Sequence, residues 1–239
     1  MGLELWGEFI GTLVLVLLGN GVVAGAVLNK TKNTNTGWVM IALGWGLAVT
    51  LAVYISGFMS PAHLNPAVTL AMATLGDLSW AKVLPYMLAQ LLGAFVGAVL
   101  VWIHYYPHWQ ETKDQGAILG SFATGPAIRH TPSNVLGEMI GTAVLVMGVM
   151  SMGQQNLGDG LGPIIVGIIV TAIGFSLGGT TGYAINPARD LGPRIAHMVL
   201  PIANKGDSDW GYSWIPVIAP LLGGAIGAFG YNLLIQMIQ

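Results

Sequence analysis

Two stretches of the sequence, SPAHLNPAVTL (60–70) and TGYAINPARDLGPR (181–194), both contain the tripeptide Asn-Pro-Ala. Asparagine is favoured just before a helix, because its side-chain oxygen accepts hydrogen bonds from the first free N–H groups. Proline is favoured at the first helical position, where no N–H is needed. We therefore predict helices at 66–75 and 187–199, beginning at Pro66 and Pro187. Each is roughly 15–20 Å long, half to two-thirds of the hydrocarbon core of a membrane.

The composition indicates a membrane protein. Of the 239 residues, 54% are hydrophobic and 8% are charged, whereas a typical soluble domain is about 25% charged. Apolar runs long enough to span a membrane occur at 5–28, 38–58, 83–105, 135–152, 161–177 and 213–235. The first run is interpreted as a retained span, since no basic segment precedes it and no small-residue cleavage site follows it.

The same composition excludes several kinds of site. Cysteine is absent, which rules out disulfides and thiolate metal ligands. The net charge of −2 provides no basic surface for nucleic acid. The histidines outside the first motif show no metal-ligand spacing, and no set of catalytic side chains is recognisable. We therefore expect no enzyme activity, no metal and no cofactor.

The two halves of the sequence are related. GEFIGT at residue 7 recurs as GEMIGT at residue 137, and LAQLLGAFVGA at residue 88 recurs as IAPLLGGAIGA at residue 218, so both pairs are 130 residues apart. Each half contains three spans and one half-span. Because three is odd, the second copy enters the membrane from the opposite face, which makes an inverted repeat with its site at the midplane.

The predicted fold class is an all-α integral membrane protein with six transmembrane helices and two re-entrant half-helices. One channel domain occupies residues 1–239, with repeats at about 1–105 and 134–239 joined by a loop at 106–133. Paired glycines recur at a spacing of four and predict close helix contacts; they are Gly7/Gly11, Gly93/Gly97, Gly137/Gly141 and Gly223/Gly227.

The half-helices predict a pore. Their N-terminal ends, each carrying roughly half a positive charge, are expected to meet near mid-membrane and repel cations. The amide N–H₂ groups of Asn65 and Asn186 and the carbonyls of 62–64 and 183–185 can hydrogen-bond a neutral solute. His63 and Ala184 belong to this predicted lining, His63 more through its carbonyl than through its ring.

These motifs resemble the major intrinsic protein family of aquaporins and glycerol facilitators, and the resemblance covers nearly the whole chain. The resemblance implies a homotetramer with one pore per subunit. It also implies a narrow filter on the outer side of the asparagine pair, at Trp45, Gly174, Tyr183 and Arg189. Trp45 would supply an apolar wall, Gly174 would widen the gap, and Arg189 would present a fork of donors.

The filter is similar to that of the glycerol-facilitator branch. Histidine, which a water-selective filter would carry, is replaced by Gly174, and Asp190 follows Arg189; Tyr105, Arg194 and Pro216–Val217 are also similar to that branch. Tyr183 departs from the expected phenylalanine and adds a hydroxyl. The pattern resembles facilitators of lactic-acid bacteria, so we expect undissociated lactic acid, glycerol and some water to pass. The alternative is an ordinary glycerol or water channel that does not pass lactic acid.

Glu8 and Glu138 permit a different function. Intramembrane carboxylates are typical of proton-coupled carriers, which makes a secondary transporter the competing interpretation. Their symmetric placement favours a structural role instead. In the family, the corresponding glutamates accept hydrogen bonds that hold the re-entrant loops.

We expect a multi-pass protein of the plasma membrane, in contact with the lipid bilayer. The family implies cytoplasmic termini, which leaves only Lys82 inside. The other loop cations would lie outside, against the positive-inside rule; they are Lys30, Lys32, Lys113, Arg129 and Lys205.

Overall fold

The computed structural model describes residues 1–238, and all regular structure within them is helical. The helices, in chain order, are α1 (Gly2–Val27), α2 (Gly37–Ser56), α3 (Pro66–Leu75), α4 (Trp80–His104), α5 (Tyr106–Glu111), α6 (Gln115–Gly120), α7 (Thr131–Met152), α8 (Gly162–Ser176), α9 (Pro187–Val199), α10 (Trp210–Ser213) and α11 (Ile215–Ile238). The predicted all-α fold class is confirmed.

Most of the predicted spans are present as membrane-length helices. Over residues 1–238, five helical segments are long and apolar enough to cross a membrane: α1, α2, α4, α7 and α10 with α11. The remaining predicted span, 161–177, corresponds to α8, which has 15 residues and is roughly 22 Å long. It is the shortest of the six predicted spans, and it packs against α2 and α7. Pro163 in the first turn and the glycines after Ser176 limit α8 to this length.

The two half-helices have the predicted bounds. α3 begins at Pro66 and α9 at Pro187, each directly after its asparagine. α3 ends where Gly76 adopts a left-handed conformation (φ 89°), which glycine tolerates without steric cost. Both half-helices are thus bounded by residues that favour helix ends, so the motif itself determines where they start.

The packing repeats between the halves with an exchange of half-helices. α1 packs on α4 and α2, and α7 packs on α11 and α8 in the same way. The half-helix α3 packs on α11, while α9 packs on α4. Each half-helix therefore contacts the last long helix of the other half, which brings the two Asn-Pro-Ala motifs to the centre of the molecule.

Glycine pairs permit the closest helix contacts. A Cβ atom on Gly97 would lie 2.6 Å from the carbonyl oxygen of Leu13, and one on Gly227 would lie 2.6 Å from that of Ala143. These distances are far shorter than a carbon–oxygen contact, so only glycine fits between α4 and α1 and between α11 and α7. The pairs Gly93/Gly97 and Gly223/Gly227 are thus helix contacts.

The segment 106–133 is not the plain loop that we predicted. It contains the short helices α5 and α6, and α7 begins at Thr131 rather than at 135. Asp114 caps α6 by accepting hydrogen bonds from the N–H groups of its first turn, a local signal that apolar periodicity does not reveal. Nearby, Lys30 donates a hydrogen bond to Glu111 and, with its charge, holds the pKa of this exposed carboxyl below its usual value.

Candidate functional site

The asparagines of the two motifs cap the half-helices. Asn65 Oδ1 accepts a hydrogen bond from Ala67 N at 2.8 Å, and Asn186 Oδ1 accepts one from Ala188 N at 3.0 Å. Both residues are buried, with 5% and 6% of their surface exposed. The side-chain oxygens are thereby committed to the helices, as the sequence predicts.

The amide groups of these asparagines join the two halves. Asn65 Nδ2 donates to the carbonyl oxygen of Ile185, and Asn186 Nδ2 donates to that of Leu64, both at 2.8 Å. Part of each N–H₂ group is therefore committed to the opposite loop rather than to a solute. Because an amide carries two N–H donors, one donor of each asparagine is used across the motif pair and one remains.

Glu8 supports the first re-entrant loop. It is fully buried, and its Oε1 accepts hydrogen bonds from Ser60 Oγ at 2.9 Å and His63 N at 3.0 Å. Its Oε2 accepts from Leu64 N and Gln90 Nε2, both at 2.8 Å. Four donors thus surround one carboxylate and fix the backbone just before Asn65.

Glu138 supports the second loop in the same manner. Its two carboxylate oxygens accept hydrogen bonds from Ala184 N and Ile185 N, each at 2.9 Å. The carboxylate is 1% exposed. Glu8 and Glu138 therefore occupy equivalent places in the two repeats, one behind each motif.

A cavity of about 280 Å³ runs between the two motifs and along α2. Trp45, Val49 and Val53 follow one face of α2 at a spacing of four, so the cavity extends along that helix. Both re-entrant loops and helices α1, α2, α3, α7, α8 and α9 line it; the residues are Leu15, Trp45, Val49, Val53, Pro61, Ala62, His63, Leu64, Asn65, Val68, Leu145, Val149, Met152, Gly162, Pro163, Val166, Val170, Tyr183, Ala184, Ile185, Asn186 and Arg189. Most sequence-predicted pore residues are thus brought together around one space.

Three of the four predicted filter residues meet in this cavity. The Arg189 guanidinium carbon lies 4.1 Å from the centre of the Trp45 ring, a cation–π contact. Within residues 1–238, the Arg189 side chain forms no ion pair and donates no hydrogen bond, and the Trp45 Nε1 and Tyr183 hydroxyl groups are buried without a partner. These two atoms are enclosed by the protein, whereas the Arg189 side chain belongs to the cavity lining.

Gly174 makes room for the Tyr183 ring. A Cβ atom on Gly174 would lie 3.0 Å from Ala42 Cβ and 3.0 Å from Tyr183 Cζ, and Gly174 does not line the cavity. The Tyr183 ring occupies the space that the missing side chain leaves. Gly174 thus accommodates the neighbouring aromatic ring, and its widening of the pore stays a prediction.

His63 lines the cavity with its loop, and its Nδ1 lies 3.3 Å from Thr69 Oγ1. Gln90 donates to the same hydroxyl at 2.8 Å and completes the support of the loop from α4. Sequence reasoning missed Gln90, because a polar residue in the repeated motif LAQLLGA has no polar counterpart in IAPLLGG.

Asp190 anchors the segment between the repeats. It forms a fully buried ion pair with Arg194, with Arg194 Nε 2.8 Å from Asp190 Oδ1. Thr124 donates to Asp190 Oδ2 from its N–H at 2.7 Å and from its hydroxyl at 2.6 Å. This connection ties residues 106–133 to α9, one residue from Arg189.

A second cavity, called the filter-side cavity below, lies at the start of α2. It has a volume of about 450 Å³ and includes Trp38 and Ile41 of α2 and Asp114 before α6. Ile41 lies one turn before Trp45 on the same face of α2. The segment between the repeats, through Asp114, Gly116 and Ala117, therefore forms part of this second cavity.

Comparison with known proteins agrees with this architecture. The family described as Major intrinsic protein matches residues 3–231. Glycerol uptake facilitator protein 3 of Lactiplantibacillus plantarum is 63% identical over 234 residues, which are 98% of each chain. The D/L-lactic acid transporter of the same organism is 42% identical over 230 residues, which are 95% of each chain.

The fold is also similar to a solved structure. The X-ray structure of the aquaglyceroporin from Plasmodium falciparum matches with a TM-score of 0.87 and 31% identity, over 99% of this chain and 98% of that one. The chain therefore belongs to the major intrinsic protein family, a family of membrane channels and facilitators, and is a multi-pass membrane protein.

Proposed function

We propose that the protein is a passive channel for glycerol and other small uncharged solutes. The observation that carries this proposal is the cavity between the two Asn-Pro-Ala motifs, which continues to the Trp45–Arg189 contact. Close relatives named for glycerol uptake support the same solute class. Water is expected to pass as well, since it is smaller than glycerol.

The walls of the cavity suit a solute with a carbon side and an oxygen side. Apolar side chains make up one part of the lining, including Val49, Val149 and Val166. The motif asparagines, the re-entrant backbone and the Arg189 guanidinium make up the other part. We assign solute hydrogen bonding at the centre to Asn65, Asn186, His63 and Ala184, and at the filter to Tyr183 and Arg189.

Charge distribution supports the exclusion of cations. The hydrogen bonds between each asparagine and the opposite loop hold the N-terminal ends of α3 and α9 close together. Each helix end carries roughly half a positive charge, and Arg189 adds a full charge in the same passage. A neutral polyol meets no such barrier, so the pore favours uncharged solutes.

Undissociated lactic acid is the second proposed solute. The unpaired Arg189 guanidinium and the Tyr183 hydroxyl offer donors to a carboxyl and a hydroxyl group, and the relative named D/L-lactic acid transporter belongs to the same family. The lactate anion should be excluded, because removing its hydration shell is costly without a full counter-charge.

A proton-coupled carrier is less well supported. Glu8 and Glu138 do not line the cavity, and loop and side-chain donors already surround their carboxylates. We assign both a structural role, together with Pro66, Pro187 and Asp190. A carboxylate that must exchange protons with a solute pathway needs access to it.

We further propose that residues 1–239 act as one channel domain, with two repeats at 1–105 and 134–239. The equivalent packing of α1, α4 and α2 and of α7, α11 and α8 supports the repeats. Following the family resemblance, the functional assembly is a homotetramer with one pore per subunit and with cytoplasmic termini.

Light-scattering measurements on proteoliposomes test the solutes. Inward gradients of glycerol, and of lactic acid at acid and at neutral pH, are applied to vesicles with and without the protein. We expect protein-dependent glycerol flux, and lactic acid flux that follows the undissociated fraction. Glycerol flux equal to that of empty vesicles would refute the main proposal, and lactic acid flux at the lipid background would refute only the second.

A further inference from the structure

The Tyr183 ring lies in a slot formed by Gly174, Gly178 and Trp38. A Cβ atom on Gly174 would lie 3.0 Å from Tyr183 Cζ, and one on Gly178 would overlap Tyr183 Cδ1. The Trp38 ring meets the Tyr183 ring edge to face, with centroids 5.7 Å apart and an interplanar angle of 74°. Two glycines and one tryptophan therefore enclose the side of the ring that faces away from the pore.

Packing alone holds the ring in this slot. The Tyr183 hydroxyl has no hydrogen-bond partner among residues 1–238, and the backbone of Tyr183 has a positive φ of 37°, which is unfavourable for a bulky residue. Nothing polar therefore fixes the orientation of the phenol. Its position depends on the three residues behind it.

Trp38 is itself firmly placed. Its Nε1 donates a hydrogen bond to the carbonyl oxygen of Gly174 at 2.8 Å. The indole is therefore attached to α8, the helix that contributes Gly174 to the slot. Trp38 lines the filter-side cavity but not the cavity between the motifs. It thus separates Tyr183 from open space without contacting the solute path at the filter.

We propose that Trp38 is a positioning residue that sets the width of the filter by holding Tyr183 against Gly174 and Gly178. This inference rests on the proposed function, because filter width matters only if the pore discriminates solutes by size. Trp38 and Gly178 are not among the four filter residues predicted from the sequence. They act through Tyr183.

Two substitutions should move the ring in opposite directions. In Trp38→Ala the ring can retreat into the vacated volume, which widens the pore. In Gly178→Ala the new methyl group pushes the ring toward the pore and narrows it. The same methyl group would lie 2.7 Å from the carbonyl oxygen of Gly174 and 2.9 Å from Trp38 Cζ2, so the slot itself also shifts.

The experiment compares water, glycerol and xylitol permeability in proteoliposomes by stopped-flow light scattering. Trp38→Ala should raise the xylitol-to-glycerol ratio at least about threefold, and Gly178→Ala should lower the glycerol-to-water ratio by a similar factor, because pore diameter sets selectivity. Two controls should leave both ratios unchanged. Trp80→Ala removes an exposed indole at the start of α4, and Gly179→Ala adds a methyl group with no atom within 4 Å.

The possible outcomes separate the two proposals. The role of Trp38 would be overturned if the permeability ratios of Trp38→Ala equalled those of the wild type or of Trp80→Ala. It would also be overturned if Trp38→Ala and Gly178→Ala shifted these ratios in the same direction. If Gly178→Ala loses water flux as well as glycerol flux, the variant has misfolded. The result for Trp38→Ala alone then tests the role of Trp38. Wild-type vesicles that pass water but no glycerol would refute the proposed function, and the inference with it.

Discussion

Residues just before each motif asparagine adopt an unusual backbone conformation. Ala62 and Leu64 have φ of 52° and 51°, and Tyr183 and Ile185 have φ of 37° and 43°. Such left-handed conformations cost about 1–3 kcal/mol each for non-glycine residues. Hydrogen bonds from the loops to Glu8 and Glu138 offset that cost, so two buried carboxylates maintain the shape of the pore wall.

Glu138→Gln should destabilise the protein. Glutamine keeps one acceptor oxygen but points an N–H₂ group at a backbone N–H, which leaves a buried donor unpaired at a cost of about 1–3 kcal/mol. Water and glycerol flux should fall together, because the loop carries the lining for both. Thermal unfolding in detergent measures the loss of stability. Glu111→Gln, at an exposed carboxyl, is the control. Unfolding at the wild-type temperature would contradict the role of Glu138.

Arg189→Ala should weaken the exclusion of cations. The substitution removes the one full positive charge in the Trp45 contact and opens the filter. Methylammonium should then enter vesicles that are impermeable to it with the wild-type protein, while glycerol still passes. Arg129→Ala, which removes an exposed arginine paired with Asp209, is the control. Methylammonium exclusion equal to that of the wild type would show that the helix ends suffice.

At the scale of helices, the structure depends on glycine contacts and on buried connections to the half-helices. A Cβ atom on Gly93 would overlap the carbonyl oxygen of Phe9 and lie 3.1 Å from Leu13 N. Gly21 of α1 has no atom within 4 Å of the same position. The two glycines are therefore a matched pair, one in a helix contact and one in open surroundings.

Gly93→Ala should cost about 1–3 kcal/mol, since forcing a methyl group into a packed contact displaces backbone. Gly21→Ala should be neutral or stabilising by up to about 1 kcal/mol, because alanine favours helix more than glycine. Denaturant titration of the purified protein in detergent compares them. Equal effects of the two substitutions would contradict the importance of the α1–α4 contact.

The Asp190–Arg194 pair should show strong coupling. Asp190→Asn leaves the buried Arg194 charge without its partner, which typically costs about 3–5 kcal/mol. Arg194→Met should be similarly harmful, whereas the double variant should recover part of the loss. The unfolding free energies of the wild type, the two single variants and the double variant form a double-mutant cycle. Additive effects would mean that the pair does not connect α9 to the segment between the repeats.

The half-helices could be predicted to the residue, whereas the side-chain packing of the filter could not. Asparagine, proline and glycine have end-specific preferences, so Asn65 with Pro66 and the following Gly76 define α3 directly. The short helices α5 and α6 have too few turns to show an apolar period. The contact of the Tyr183 ring with Gly174 could not be predicted, because sequence spacing does not reveal which neighbouring ring fills the space beside a glycine.

At the scale of the whole molecule, the exchange of half-helices produces one pore from two repeats. The contacts of α3 with α11 and of α9 with α4 place both motifs at the centre, where each asparagine donates a hydrogen bond to a carbonyl oxygen of the opposite loop. Because hydrogen bonds and helix contacts connect the two halves at this point, we expect solutes to pass without a large rearrangement of the halves. We therefore predict channel behaviour rather than alternating access.

The concentration dependence of glycerol flux distinguishes a channel from a carrier. Initial rates are measured in proteoliposomes over a wide range of glycerol gradients, with and without an imposed pH gradient, membrane potential or protonophore. We expect rates that rise in proportion to the gradient and are insensitive to pH gradient and potential. Rates that saturate and depend on the pH gradient would contradict it, and would indicate a carrier that uses Glu8 or Glu138 as a proton site.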